Sequence, residues 1–285
     1  LAPDLAYSIY SRSIRLSAYE TLTLDIDPRG VARLVLNRPD ARNAMSQQMI
    51  GELRAVARQL GTDDRVRVVV LTGAGEHFCA GGDLKGMQQQ ATRGRAERIA
   101  DATDLAETLA ELNSLPRTLI GRINGPAFGG GVGLISVCDI AVGVSTARFC
   151  LTEVRLGLVP ATISPYVLAR LGARNTRRVM LNAVEMDGAA AHRLGLLDEV
   201  VPPAELDAAV EREVAAALRC APGAVADCKR LIEFVGSHSG AENIAFTAER
   251  LADRWETSEI AEGIAAFLGK RPPAWHVDNL PRPRE

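Results

Sequence analysis

A chain of 285 residues, 47% of them hydrophobic, can bury one large core or a core with a smaller appendage. Its formal net charge of −2 supplies no field to draw nucleic acid or an anionic membrane surface. The five cysteines, Cys79, Cys138, Cys150, Cys220 and Cys228, are odd in number and contain no C-x-x-C pair, so a disulfide framework is not expected. Reduced, buried thiols in a cytoplasmic protein are the expectation.

Residues 1–18 show neither a continuous apolar run nor a period, and read as a poorly ordered N-terminal extension. From Tyr19 the text becomes regular. Leu22, Leu24 and Ile26 alternate with Thr21, Thr23 and Asp25; Asp27-Pro28-Arg29-Gly30 supplies turn residues, and VARLVLN follows, which predicts a β-hairpin. Ser46 is placed to cap a helix with apolar positions Met49, Leu53, Val56 and Leu60, and Gly61 is placed to end it. VRVVVLTG, residues 66–73, predicts a strand covered on both faces.

The alternation continues with a helix near 95–114, a strand at 117–123, a glycine-rich helix start at 129, a strand at 138–144 and a helix beginning near Pro160. The fold class is therefore α/β. Arg93, Arg95 and Arg98 read as a solvated helix face. After Val201 only helical periods remain: Leu206, Val210, Val214 and Leu218; Ile244, Ala248, Leu251 and Trp255; Ile260, Ile264 and Leu268. Pro202 and Pro203 suggest a core over 19–202 and a C-terminal helical region over 203–285, whose last helix stops at Gly269 ahead of Pro272 and Pro273. Charged residues interrupt every long apolar stretch, so no membrane span is expected.

Several familiar motifs fail. Counting from Gly129, the sixth position of a dinucleotide fingerprint is Leu134, and from Gly131 it is Ser136. There is no phosphate-cradling GxxxxGK[ST], no GxSxG elbow, and His77, His192, His238 and His276 lack metal-ligand spacing. What remains is glycine. HFCAGGDL at 77–84 and GPAFGGGVG at 125–133 each follow an apolar strand. A bare N–H at a helix start is a good donor to an oxyanion, and two converging ones make an oxyanion hole. Close helix–strand packing also requires glycine, and the residues alone leave both readings open.

Four ordered blocks, LNRPDARNAMS at 36–46, VVVLTGAGEHFCAGGDLKGM at 68–87, INGPAFGGGVGLISVCDIAV at 123–142 and FCLTEVRLGLVP at 149–160, resemble the enoyl-CoA hydratase/isomerase, or crotonase, family. The similarity runs from Tyr19 to Arg271. It implies a spiral of ββα units with a C-terminal helical region that trimerises, often into a dimer of trimers. It also implies an acyl-CoA substrate whose thioester oxygen is held by the N–H groups of Gly82 and Gly130. Coenzyme A arrives as part of the substrate, and no separate cofactor is implied.

Hydratases of this family carry two glutamates. Their positions fall here on Gly133 and Glu153, so one carboxylate is expected to serve alone as acid and base, its pKa raised by burial among Leu151, Val154, Leu156 and Leu158. The same lone acid suits a Δ3,Δ2-enoyl-CoA isomerase, and a paralogue that binds without turnover is a third reading. The flank TEVRLGLVPATISPYV, residues 152–167, is most similar to 3-methylglutaconyl-CoA hydratase-type members, which favours hydration of a short, branched 2-enoyl-CoA. On that reading Gly133 vacates volume for the branch, with Arg155 either beside it or, as is more usual for an arginine, paired at the surface. The N–H of Ala161, opening the next helix, then helps hold water.

The resemblance further places Ala80, Leu84 and Lys85 along the adenine and pantetheine groove, with Phe267 and Lys270 reaching coenzyme A from the C-terminal helix. Asp83 and Asp139 are assigned to helix capping and loop hydrogen bonds. Some relatives bind AU-rich RNA through a lysine-rich helix. The matching segment here, SQQMIGELRAVARQL, has only Arg54 and Arg58, and no nucleic-acid partner is expected.

Overall fold

The computed structural model describes residues 14–15 and 19–277. Most of the N-terminal extension and residues 278–285 of the C-terminal region lie outside the described residues, as does the side chain of Leu84. The described piece of the extension, β1 (Ile14–Arg15), pairs antiparallel with β2 (Leu22–Ile26). A hairpin then joins β2 to β3 (Val31–Leu36). Its turn is held by the Asp27 carboxylate, which accepts from the N–H groups of Arg29 (2.8 Å) and Val31 (3.1 Å), while Gly30 takes a φ of 82°. That value is why the position is glycine.

Parallel strands β4 (Val68–Gly73), β5 (Thr118–Ile123), β7 (Ile140–Val144) and β10 (Glu199–Val201) extend the sheet, giving the order β1-β2-β3-β4-β5-β7-β10. All six residues of β4 are buried, so their run of apolar side chains serves both faces. A second, three-stranded sheet is built from β6 (Ala127–Phe128), β8 (Arg148–Cys150) and β9 (Met186–Asp187).

Helix α1 (Gln47–Thr62) starts where Ser46 accepts the N–H of Met49 at 3.2 Å and buries Met49, Ile50, Leu53, Val56, Ala57 and Leu60. Gly61 lies inside it, and Asp63 is the C-cap. α2 (Leu84–Thr92) is capped by Asp83, and α3 (Arg95–Asn113) packs along α1. Two of the three arginines at the α2–α3 junction are engaged: Arg93 pairs with Asp101, and Arg98 donates to the carbonyls of Gln90 and Ala91, while Arg95 is exposed. Arg54 and Arg58 on α1 are likewise neutralised by Glu111 of α3, with Asp104 and Glu107 adding to Arg54.

α4 (Gly130–Ser136) is short, and α5 (Ser164–Asn182) begins four residues later than the Pro160 start expected from sequence. Residues 161–163 form a turn instead, and Gly172 (φ 70°) breaks α5 within its length. α6 (Gly188–Arg193) leads to β10. Past Pro202 the described elements are helices, and the first long one packs on the sheet. α7 (Leu206–Leu218) buries Leu206, Ala209, Val210, Val214 and Leu218 against β5 and β7. α8 (Pro222–Ser237), not foreseen from sequence, and α10 (Ser258–Leu268) bury one alanine each, and α9 (Gly240–Trp255) buries nothing. Among the described residues no helix is long and apolar enough to cross a membrane. The five cysteines are free, yet only Cys79, Cys138 and Cys150 are buried; Cys220 and Cys228 are exposed, contrary to the expectation of five buried thiols.

Candidate active site

Two loops meet at the N-terminal end of α4. The loop after β4 is laced to the segment leading into β6: Phe78 and Cys79 donate to the Pro126 carbonyl, and Phe128 donates back to Cys79 at 3.0 Å. On its other side it is bridged to Met45, whose N–H reaches the Gly81 carbonyl at 2.7 Å and whose carbonyl accepts from Asp83 at 3.1 Å. This bridge uses the atoms on either side of the Gly82 N–H and bypasses it. At α4 the first N–H, that of Gly130, has no intrahelical acceptor. Among the described residues neither N–H donates to a main-chain carbonyl.

The residues just before the two amides share a conformational feature. Gly81, just before Gly82, has φ 92°, and Gly129, just before Gly130, has φ 49° and ψ −119°. Only glycine adopts these angles cheaply. A β-carbon added at Gly81 would stand 2.7 Å from the Phe128 carbonyl oxygen and 3.6 Å from the Gly130 nitrogen, so the two loops touch here. Gly131 serves packing, because a β-carbon there would run into Cys79, with Cβ at 3.0 Å. Gly82 and Gly130 keep bare amides, and α4 is so short that these N–H groups, rather than an aligned helix dipole, are the donors available.

Glu153 arrives from the turn Glu153–Leu156 that follows β8. Its carboxylate lies against Gly129: a β-carbon at that glycine would be 3.0 Å from Oε1 and 3.9 Å from Oε2. Oε2 is shielded from solvent and, among the described residues, has no hydrogen-bond partner. Burial pushes the carboxyl above its ordinary value of 4.5. Of the leucines expected to supply that burial, Leu151 is buried, but Leu156 is 63% and Leu158 52% exposed. The group that lies against the carboxylate is Gly129, at the N-terminal end of α4.

Other expected residues fare differently. A side chain at Gly133 would overlap Ile163, whose Cβ would be 2.8 Å away and whose Cγ2 closer still, so the volume expected to be vacant for a branch is already filled. The Ala161 N–H donates to the Val159 carbonyl at 2.8 Å and is not free to hold water; it lies in the turn before α5 and does not open that helix. Arg155 donates to the Ala183 carbonyl at 2.6 Å, which accounts for it without an acyl carboxylate. Ala80 donates to the Arg42 carbonyl at 3.0 Å, and Lys85 is exposed on the first turn of α2. Phe267 and Lys270, at the end of α10, are exposed, and no hydrogen bond or ion pair ties either side chain to the Gly82–Gly130–Glu153 cluster. Asp83 accepts from Lys85 and Gly86 and pairs with Arg38 at 2.9 Å. Asp139 accepts from Leu119 at 2.7 Å and from Lys229 of α8 at 2.8 Å.

Sequence reasoning missed Gly81, Gly129, Met45 and Met87. The terminal methyl of Met87 would be 2.9 Å from a β-carbon at Gly82, and that of Met45 falls inside contact distance of one at Gly130. A signal for the first two was present, because each candidate donor glycine is preceded by another glycine.

Residues 27–278 match the enoyl-CoA hydratase/isomerase family. The chain belongs to that family. Similar members include the enoyl-CoA hydratase ACTT6 of Alternaria alternata, 38% identical over 92% of this chain and 85% of the relative. The mevalonyl-coenzyme A hydratase sidH of Aspergillus fumigatus is 31% identical over 87% of this chain and 92% of its own length. Among solved structures, Pseudomonas aeruginosa AtuE superposes with a TM-score of 0.87 at 39% identity, covering 90% of this chain and 100% of that one. The enoyl-CoA hydratase of Shewanella pealeana does so with a TM-score of 0.87 at 36% identity, over 90% and 96%. The α/β crotonase-type fold is thus the fold of this family member.

Proposed function

We propose that this chain is an enoyl-CoA hydratase that adds water to a short, branched 2-enoyl-CoA of the 3-methylglutaconyl type. One observation carries the chemistry: a single glutamate, shielded, with one oxygen unpartnered, set against the glycine mouth where two loops offer unused amides. A buried acceptor without a partner is costly, and such groups are kept where they act on a ligand.

In this scheme the thioester oxygen lies between the N–H groups of Gly82 and Gly130, which favour the enolate form; loss of one such donor costs roughly 2.7–4 kcal/mol of transition-state stabilisation. Ionised Glu153 takes a proton from water as the oxygen bonds to Cβ. The π electrons move toward the thioester, and protonated Glu153 returns the proton to Cα. Water is consumed whole and the carboxylate is regenerated. No group beyond the coenzyme A of the substrate enters the scheme. The branched acyl chain rests on the flank at 152–167 alone, because Ile163 occupies the space that Gly133 was expected to leave.

The Ala161 amide is engaged and the place of a second acid is apolar, so a second reading is favoured by these same observations: Glu153 shuttling a proton between the α and γ carbons without water, as an isomerase. Turnover in water labelled with heavy oxygen separates the two. A hydratase puts the label on Cβ of a 2-enoyl-CoA; an isomerase moves the double bond of a 3-enoyl-CoA and leaves the label in the solvent. A clear preference for crotonyl-CoA over 3-methylglutaconyl-CoA would discard the branched substrate.

The proposed assembly is a homotrimer or a dimer of trimers. It is supported by the apolar side chains that α8, α9 and α10 leave in water, Ile232, Ile244, Leu251, Trp255, Phe267 and Leu268.

A further inference from the structure

Gly133 and Ile163 form a complementary pair. Gly133 sits one turn along α4 from the glycine that touches Glu153, and its N–H donates to the Gly129 carbonyl at 3.3 Å. Helical side chains lean toward the N-terminus of their helix and cover the turn before their own Cα. A side chain at 133 would therefore project toward the turn of Gly129 and Gly130. That place is taken from outside the helix by Ile163, whose Cβ and Cγ2 intrude on the β-carbon position. Ile163 is 2% exposed, and α5, of which it is the N-cap, packs against both α4 and the turn that carries Glu153.

The geometry points to Ile163 as a specificity-determining residue, the branched apolar wall that bounds the acyl chain where α5 meets α4. This rests on the acyl-CoA reading above. A β-branched side chain has few rotamers, so such a wall is stiff as well as apolar. It sets how much acyl volume fits beside the reacting carbons, and it presents no polar group there. Glycine at 133 is the condition for it: the two side chains exclude each other, and this chain keeps the one from α5.

The test measures dissociation constants of two saturated, non-reacting thioesters, butyryl-CoA and the β-branched isovaleryl-CoA, by calorimetry. In the Ile163→Ala protein, affinity shifts toward the branched ligand by about tenfold relative to the linear one, the size typical of opening a pocket by a methylene or more. Ile163→Val moves the ratio in the same direction by a smaller step. Thermal unfolding checks the pairing: Gly133→Ala lowers Tm by roughly 5 °C in the parent chain and by less when Ile163 is alanine. A folded Ile163→Ala protein whose affinity ratio is unchanged, or moves toward butyryl-CoA, overturns the inference. Hydration absent while both thioesters bind and the ratio shifts would sink the hydratase reading and leave the wall standing. Failure of both thioesters to bind the parent chain would overturn both.

Discussion

Helices α1 and α9 are the same length, 16 residues, and both begin at a serine, yet they live in different environments. α1 buries six side chains beneath the sheet; α9 buries none and leaves Ile244 and Leu251 72% and 63% exposed. Both sequences carry an apolar stripe at helical spacing. The stripe shows that a helix has a face to cover, and only the packing shows what covers it. For α1 the cover is its own chain. For α9 the described chain supplies little, apart from the stacking of Phe234 on Phe246 between α8 and α9.

Leu53 tests the covered side most severely. Leu53→Ala removes a fully buried side chain and should cost about 2–5 kcal/mol in denaturant unfolding. A cost below about 1 kcal/mol would mean that α1 is not anchored as described. Glycines offer a paired contrast. Gly129→Ala must force φ 49° on alanine and push its β-carbon against Glu153, and should lose about 1–3 kcal/mol. Gly236→Ala, in α8 with nothing within 4 Å of its β-carbon, should gain about 0.4–1 kcal/mol.

Glu153 gives a pH-dependent contrast within the body. Below its ordinary pKa of 4.5 the carboxyl is neutral both folded and unfolded. Above its raised folded value it is ionised in a shielded place, which weakens the folded state. Glu153→Gln should therefore raise Tm near pH 8 and leave it unchanged near about pH 4; a Tm lowered at the higher pH would contradict the burial argument. The smallest effect is expected at Leu251. Leu251→Ser should change monomer stability by no more than about 0.5 kcal/mol, while weakening self-association in sedimentation experiments. A large loss of monomer stability would place α9 against its own chain.

Much of the body was legible because its signals are local. The hairpin turn at Asp27–Gly30, the Ser46 cap and the apolar run of β4 each follow from a few adjacent residues. The three-stranded sheet was not legible, since strands of two or three residues, such as Ala127–Phe128, are too short to show alternation. Nor was the delayed start of α5, which depends on the 161–163 turn, or the break at Gly172, an isolated glycine that a helix often tolerates. At the site, Gly82, Gly130 and Glu153 were found through family resemblance. Ile163 was not, because whether a glycine leaves a void or receives a neighbour is decided by a residue thirty positions away on another helix. Exposure of Leu156 and Leu158 was missed for a similar reason: an apolar residue beside an acid in sequence need not shield it in space.

The most direct test of the account is the hydration rate of the Glu153→Gln enzyme at saturating 2-enoyl-CoA, beside its affinity for butyryl-CoA. With one acid-base group doing all the proton transfer, kcat should fall by roughly 10²–10⁴ while binding of the saturated thioester stays within about twofold. A variant that hydrates within about tenfold of the parent would show that the proton travels by another group.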